Sequence, residues 1–183
     1  MKTTLILISA LFIGLGMGAQ NQNNMKNKNE SIAKGQVIKK GKLIYSEISI
    51  KASPERVWQE FTNFESYSNW NPFIKSLKGT SSPNNKIEVF LQPPDQKGML
   101  FKPKVLVFEP NIEFRWIGKL FIGGLFDGEH TFILKGNTDG STTFIQFERF
   151  KGILIPFVKK MLNENTLNGF NQMNEALKRR CEL

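Results

Sequence analysis

The run Ile48-Ser-Ile-Lys-Ala-Ser-Pro-Glu-Arg-Val-Trp-Gln-Glu-Phe61, followed closely by Trp70-Asn71-Pro72-Phe73, limits the fold of this chain more than any other segment. A strand, Leu43 to Ile50, alternates with Ile44, Ser46, Ile48 and Ile50 on one face and then breaks at once. Ser53 caps a helix, Pro54 fits the first turn where no amide hydrogen is needed, and Glu55 lies near the positive end of the helix dipole. Val57, Trp58 and Phe61 share its apolar face. A second short helix, about Phe64 to Asn69, stops before Pro72, because proline disfavours helical backbone in the residue preceding it. Helices this short cannot bury so many rings between themselves. They form part of a roof over a larger curved sheet, with an apolar hollow beneath.

Downstream, the pattern reads as antiparallel hairpins: Lys86 to Leu91, Met99 to Glu109, Ile112 to Ile117, Phe126 to Lys135 and Thr142 to Phe150. Pro93-Pro94-Asp-Gln-Lys-Gly98, Pro110-Asn111 and Gly136-Asn-Thr-Asp-Gly140 supply the turns, and Gly123-Gly124 is either a hinge or a tight bend. After Gly152 the apolar period changes to about 3.6 through Val158, Leu162, Thr166, Phe170, Met173 and Leu177. That spacing predicts a helix of about 25 residues, ~37 Å long. Sixteen Phe and three Trp against two Tyr give large rings with few polar tips, suited to cores and greasy pockets alike.

The N-terminus carries Lys2, an uncharged apolar run from Leu5 to Leu15, and the small residues Gly16-Met-Gly-Ala19. This is the pattern of a signal peptide over residues 1–19, cleaved near Gly18 or Ala19, and it predicts an exported, periplasmic or secreted protein. The apolar run is short for a bilayer span, and no cysteine follows it to carry a lipid anchor. Residues 20–36, rich in Asn, Gln and Lys without apolar period, predict a disordered lead-in, leaving 37–183 as one domain with a sizeable core.

Cys181 is the only cysteine, so no intramolecular disulfide supports the fold. The formal charge of +9 becomes +8 without Lys2, since the leader holds no acidic residue. The positive charge is dispersed Lys without interleaved aromatics, which argues against nucleic acid and for a solvated basic surface with, at most, transient contact with anionic membrane headgroups. There is no Gly-x-Ser-x-Gly elbow, no phosphate-binding loop and no calcium loop, and one His with one Cys cannot build a usual zinc site. No cofactor or metal is expected.

A strand, two short helices, a meander and a terminal helix with one apolar stripe bury their faces together only if the sheet curls around that helix. The residues Ser53-Pro-Glu-Arg-Val-Trp58, Trp70-Asn71-Pro72, Trp116 with Gly118, Phe126-Asp-Gly-Glu-His-Thr-Phe132 and Glu148-Arg-Phe-Lys-Gly152 resemble the START-related, Bet v 1-like superfamily, also known as SRPBCC or polyketide cyclase-like domains, over about Lys42 to Glu182. The resemblance implies an α+β helix-grip fold, a curved antiparallel sheet around a long C-terminal helix. It implies no single transferable activity.

With Phe132, Leu134, Phe144 and Phe150 facing inward, strand alternation also turns His130, Gln146 and Glu148 inward, and Phe114 and Trp116 join them. The sequence thus predicts a carrier of a hydrophobic small molecule or lipid, lined by Trp70, Phe73, Trp116, His130, Phe132, Gln146, Glu148 and Phe150. The alternative is a cyclase- or dehydratase-like enzyme in which His130 and Glu148 form an acid/base pair. In the bland version Glu148 pairs with His130 or Gln146 merely to satisfy buried polar groups.

Overall fold

The computed structural model describes residues 34–39, 42–120, 123–157 and 162–183; the leader and nearly all of the lead-in lie outside them. The strands are β1 (Lys34–Lys39), β2 (Leu43–Ile50), β3 (Ile74–Gly79), β4 (Ile87–Leu91), β5 (Met99–Phe101), β6 (Lys104–Glu109), β7 (Glu113–Leu120), β8 (Phe126–Gly136) and β9 (Thr142–Lys151). Helices α1 (Pro54–Thr62) and α2 (Tyr67–Trp70) flank a 3₁₀ turn at Phe64–Ser66, and α3 (Leu167–Cys181) ends the chain. A six-stranded antiparallel sheet runs β1-β2-β9-β8-β7-β6, and β3-β4-β5 form a second sheet. The two meet at one corner, where Ile87 N donates to Pro103 O at 3.0 Å and Val105 N to Asn85 O at 2.8 Å. The α+β helix-grip architecture, a curved antiparallel sheet with the C-terminal helix against it, is the one the sequence implies.

Local chemistry sets the entry to the roof. Ser53 accepts a hydrogen bond from Arg56 N at the start of α1, with Pro54 in the first turn, and Val57, Trp58 and Phe61 are buried. Asn71 Oδ1 then accepts from both Phe73 N (3.0 Å) and Ile74 N (2.9 Å), closing the turn that carries the chain from α2 into β3. Beneath the roof, Phe61 sits 4.8 Å from Phe132 and 5.2 Å from Phe144, ring centre to ring centre.

Four expectations are corrected. Strand β1 begins at Lys34, within the segment read as lead-in, and pairs antiparallel with β2. Strand β3 was not visible in the sequence, because a bulge between Ile74 and Ser76 breaks its period of two and buries Ile74 and Leu77. The stretch from Met99 to Glu109 is two strands in different sheets, split at Pro103, which has no amide hydrogen for a ladder. The terminal helix is a regular α-helix of 15 residues preceded by a π-helical turn at Leu162–Thr166, and residues 158–161 lie outside the described ones.

Candidate functional site

The inward face of the large sheet is ordered in cross-strand rows. Phe114, Phe132, Gln146 and Ser46 make one row, Trp116, His130, Glu148 and Ile44 the next, and Gly118, Gly128 and Phe150 the one after that. In the first row Phe114 and Phe132 pack under Phe61 of α1, while Gln146 and Ser46 bond to side chains of α3. In the last row two of three side chains are missing, and a hollow of about 240 Å³ opens there. Its wall is Phe73 and Thr166 from the roof and helical side, Val89, Leu91 and Phe101 from β4 and β5, and Trp116, Phe126, Glu148, Phe150 and Leu154 from the large sheet and its end. The exposed residues Gln96, Lys97 and Met99 lie at its rim.

His130 and Glu148 stand directly opposite each other in the β8–β9 register, but their polar atoms go to different places. His130 is buried, its ring stacked 4.2 Å from Phe132 and 4.7 Å from Phe170. Its Nε2 lies 3.2 Å from Gln146 Oε1. Gln146 Nε2 donates to Phe170 O and Asn174 Oδ1, Asn174 Nδ2 donates to Ser46 Oγ, and Ser46 Oγ donates to Asn171 Oδ1. The amide orientation makes Gln146 Oε1 an acceptor, which places the imidazole proton on Nε2 and leaves buried Nδ1 bare. Burial drives the His130 pKa down to about 3, against the opposing pull of the Gln146 contact, so the ring is neutral. This chain of polar groups ties β8 and β9 to α3 and β2.

Glu148 takes no part in that chain. Its carboxyl rests over Gly128, where a Cβ would stand 2.6 Å from Glu148 Oε1, so glycine at 128 keeps the carboxyl's place open. The residue is half-buried and lines the hollow. Desolvation raises its pKa to about 8.

Of the predicted lining residues, Phe73, Trp116, Glu148 and Phe150 line the hollow, and Trp70, His130, Phe132 and Gln146 do not. Trp70 lies outside the sheet, its indole N–H on Ser66 Oγ and Arg180 stacked over its ring. Phe132 is consumed by the core beneath α1, and His130 and Gln146 face α3 rather than open space. The wall from β4, β5 and the Pro93–Gly98 connection was missed, since its membership depends on how the small sheet folds over the large one. The glycines at 118 and 128 carried a readable signal, because a glycine inside a strand marks a place where something else comes close. Among the described residues no group of three or more His, Cys, Asp or Glu side chains could hold a metal ion.

The fold and this hollow define a domain of the helix-grip class with an apolar hollow beside its large sheet. Residues 43–182 match the family described as polyketide cyclase / dehydrase and lipid transport, and the chain belongs to that family. Among solved structures it is similar to a START superfamily protein from Mycobacterium smegmatis, with TM-score 0.59 and 21% identity over 77% of this chain and 97% of that one. It is similar also to a protein from Chromobacterium violaceum (TM-score 0.58, 21% identity, 78% and 98% covered) and to a second protein from Mycobacterium smegmatis (TM-score 0.63, 11% identity, 80% and 96% covered). At these identities the likeness concerns the fold. No curated protein matches the chain.

Proposed function

We propose that this protein binds a small, mainly apolar molecule in the hollow beside Gly118 and Gly128, without transforming it. The observation that carries this reading is the wall itself: mainly aromatic and aliphatic side chains around about 240 Å³, with one carboxyl among them. That volume is below the roughly 300–1,000 Å³ usual for small-molecule pockets and favours a compact ligand over a two-chain lipid. Binding is favoured over acid/base chemistry because His130 has no surface on the hollow and already shares its proton with Gln146. The leader read in residues 1–19 extends the proposal to an exported protein, and the basic surface to transient contact with anionic headgroups. The mass of the N-terminus in protein recovered outside the cytoplasm tests the first, and salt-sensitive binding to anionic vesicles the second.

The test of binding is native mass spectrometry on protein isolated from the cells that make it, followed by denaturing extraction, with Gly118→Leu as the comparison. A Cβ at 118 would meet nothing closer than 3.9 Å, so a side chain there can start without a clash beside the hollow that Gly118 lines. A retained small molecule present in the native protein and absent from the variant supports the proposal. A further measure is the Trp116 indole N–H signal in NMR during titration with toluene. No adduct and no toluene response, or equal responses in both proteins, would overturn it.

A further inference from the structure

Resting on the reading of the hollow as a ligand site, we infer that its ligand is an organic amine whose ammonium group sits at the Glu148 carboxyl among the aromatic faces of Phe73, Phe101, Trp116, Phe126 and Phe150.

The first support is the isolation of Glu148. The residue is half-buried in a mainly apolar wall, and among the described residues no hydrogen bond or ion pair reaches its carboxyl, whereas carboxylates taken out of water are ordinarily paired. Its nearest partners on the sheet are committed elsewhere or apolar. On β8, His130 is bonded to Gln146 and Gly128 has no side chain. On β2 the register partner is Ile44, and on β7 the wall is Trp116 and Gly118. The helical turn offers only neutral Asn165 and Thr166, and Lys97 is exposed at the rim. A carboxyl kept without a partner in an apolar wall is costly to folding, and such groups concentrate at functional sites. The partner missing from the protein is a cation.

The second support is the composition of the wall. Five aromatic side chains and one acidic group line the same hollow, and desolvated ring faces attract organic cations. A neutral hydrogen-bond acceptor would use only the protonated carboxyl, and an anion would be repelled by the ionised one. An amine uses both the carboxylate and the rings. Because the free carboxyl holds its proton up to about pH 8, a bound ammonium must displace that proton, so amine affinity rises with pH below 8. His130 stays neutral throughout this window and does not contribute.

The experiment titrates the full chain with benzylamine, benzyl alcohol, benzoate and toluene, followed by the Trp116 indole signal, at pH 6.0 and 7.5. The expected result is benzylamine at least tenfold tighter than benzyl alcohol at pH 7.5, with its affinity rising about tenfold per pH unit while that of benzyl alcohol stays level. Benzoate binds weakest. In Glu148→Gln the ratio of benzylamine to toluene affinity falls to about one. Should that variant not fold, the pH profiles of the native protein decide alone. Benzyl alcohol or benzoate binding as tightly as benzylamine, a level amine profile, or an amine preference that survives in Glu148→Gln overturns the inference. Toluene binding without amine preference overturns it while leaving the binding proposal standing; no response to any probe overturns both.

Discussion

His130 and Glu148 face one another across the β8–β9 ladder as register partners, yet the imidazole turns to Gln146 and the core while the carboxyl turns over Gly128 to open space. Two titratable groups on one cross-strand row are thereby pushed in opposite directions by the same cause, burial: the imidazole to about 3 and the carboxyl to about 8. Both are neutral at pH 7.

This separation has a signature in stability. The unfolded carboxyl ionises near 4.5, whereas the folded one keeps its proton to about 8, so its contribution is complete below 4.5 and is lost as pH rises through 8. His130 acts in the other direction. Its unfolded ring takes a proton near 6.5 and its folded ring only near 3, so stability is lost as pH falls across that window. The two slopes offset each other between about 4.5 and 6.5. Between pH 5.5 and 8 the Glu148 loss of about 3 kcal/mol is partly offset by a His130 gain of about 1.4 kcal/mol, so urea denaturation should show a net loss of about 1.5 kcal/mol in the native protein and a gain of about 1.4 kcal/mol in Glu148→Gln. A native protein that gains stability over this range as the variant does would show that Glu148 is solvated or paired.

Replacing His130 with Ala removes a ring stacked on Phe132 and Phe170 and leaves Gln146 Oε1 without its donor. The expected loss is about 3–4 kcal/mol in chemical denaturation. A loss below about 1 kcal/mol would mean that the ring is not packed as described.

Gly169 lies on α3 with its Cα against the Phe73 ring, and a Cβ there would come within 2.3 Å of Phe73 Cδ2. Alanine favours helix over glycine by about 1 kcal/mol, but overpacking costs about 1–3 kcal/mol. Gly169→Ala should therefore lower the melting temperature, and it should also alter ligand affinity, since Phe73 lines the hollow. A higher melting temperature would contradict the contact.

Asn71 holds two buried amide hydrogens with one side-chain oxygen at the entry to β3. Asn71→Ala orphans both, at an expected cost of about 2–3 kcal/mol seen as a shift in the urea midpoint. An unchanged midpoint would show that the turn closes without them.

The parts of this structure that were legible in the sequence are those where one local pattern speaks for itself. The alternation of β2, the Ser53-Pro54 helix start, the hairpin around Gly136–Gly140 and the family motifs gave the architecture, and alternation correctly set Glu148 and Phe150 on the inner face of β9. Facing inward, however, is not the same as facing a hollow. Phe132 and Gln146 point inward and meet α1 or α3, and that distinction depends on how helix and sheet meet in space. The same limit hid the wall contributed by β4 and β5. It also hid the π-helical turn before α3, since Thr166, Phe170, Met173 and Leu177 keep a helical spacing whether or not an extra residue is accommodated upstream.

The glycine at 118 leaves space by omission rather than by spreading the strands apart, and the one at 128 gives its place to the Glu148 carboxyl. Open volume is thus separable from the forces that hold the domain together. An alanine at 118 would take volume from the hollow with ordinary contacts and no backbone strain, since its Cβ would meet nothing closer than 3.9 Å. Under the proposed binding role, the room the scaffold offers can therefore change through a single codon while its architecture stays the same.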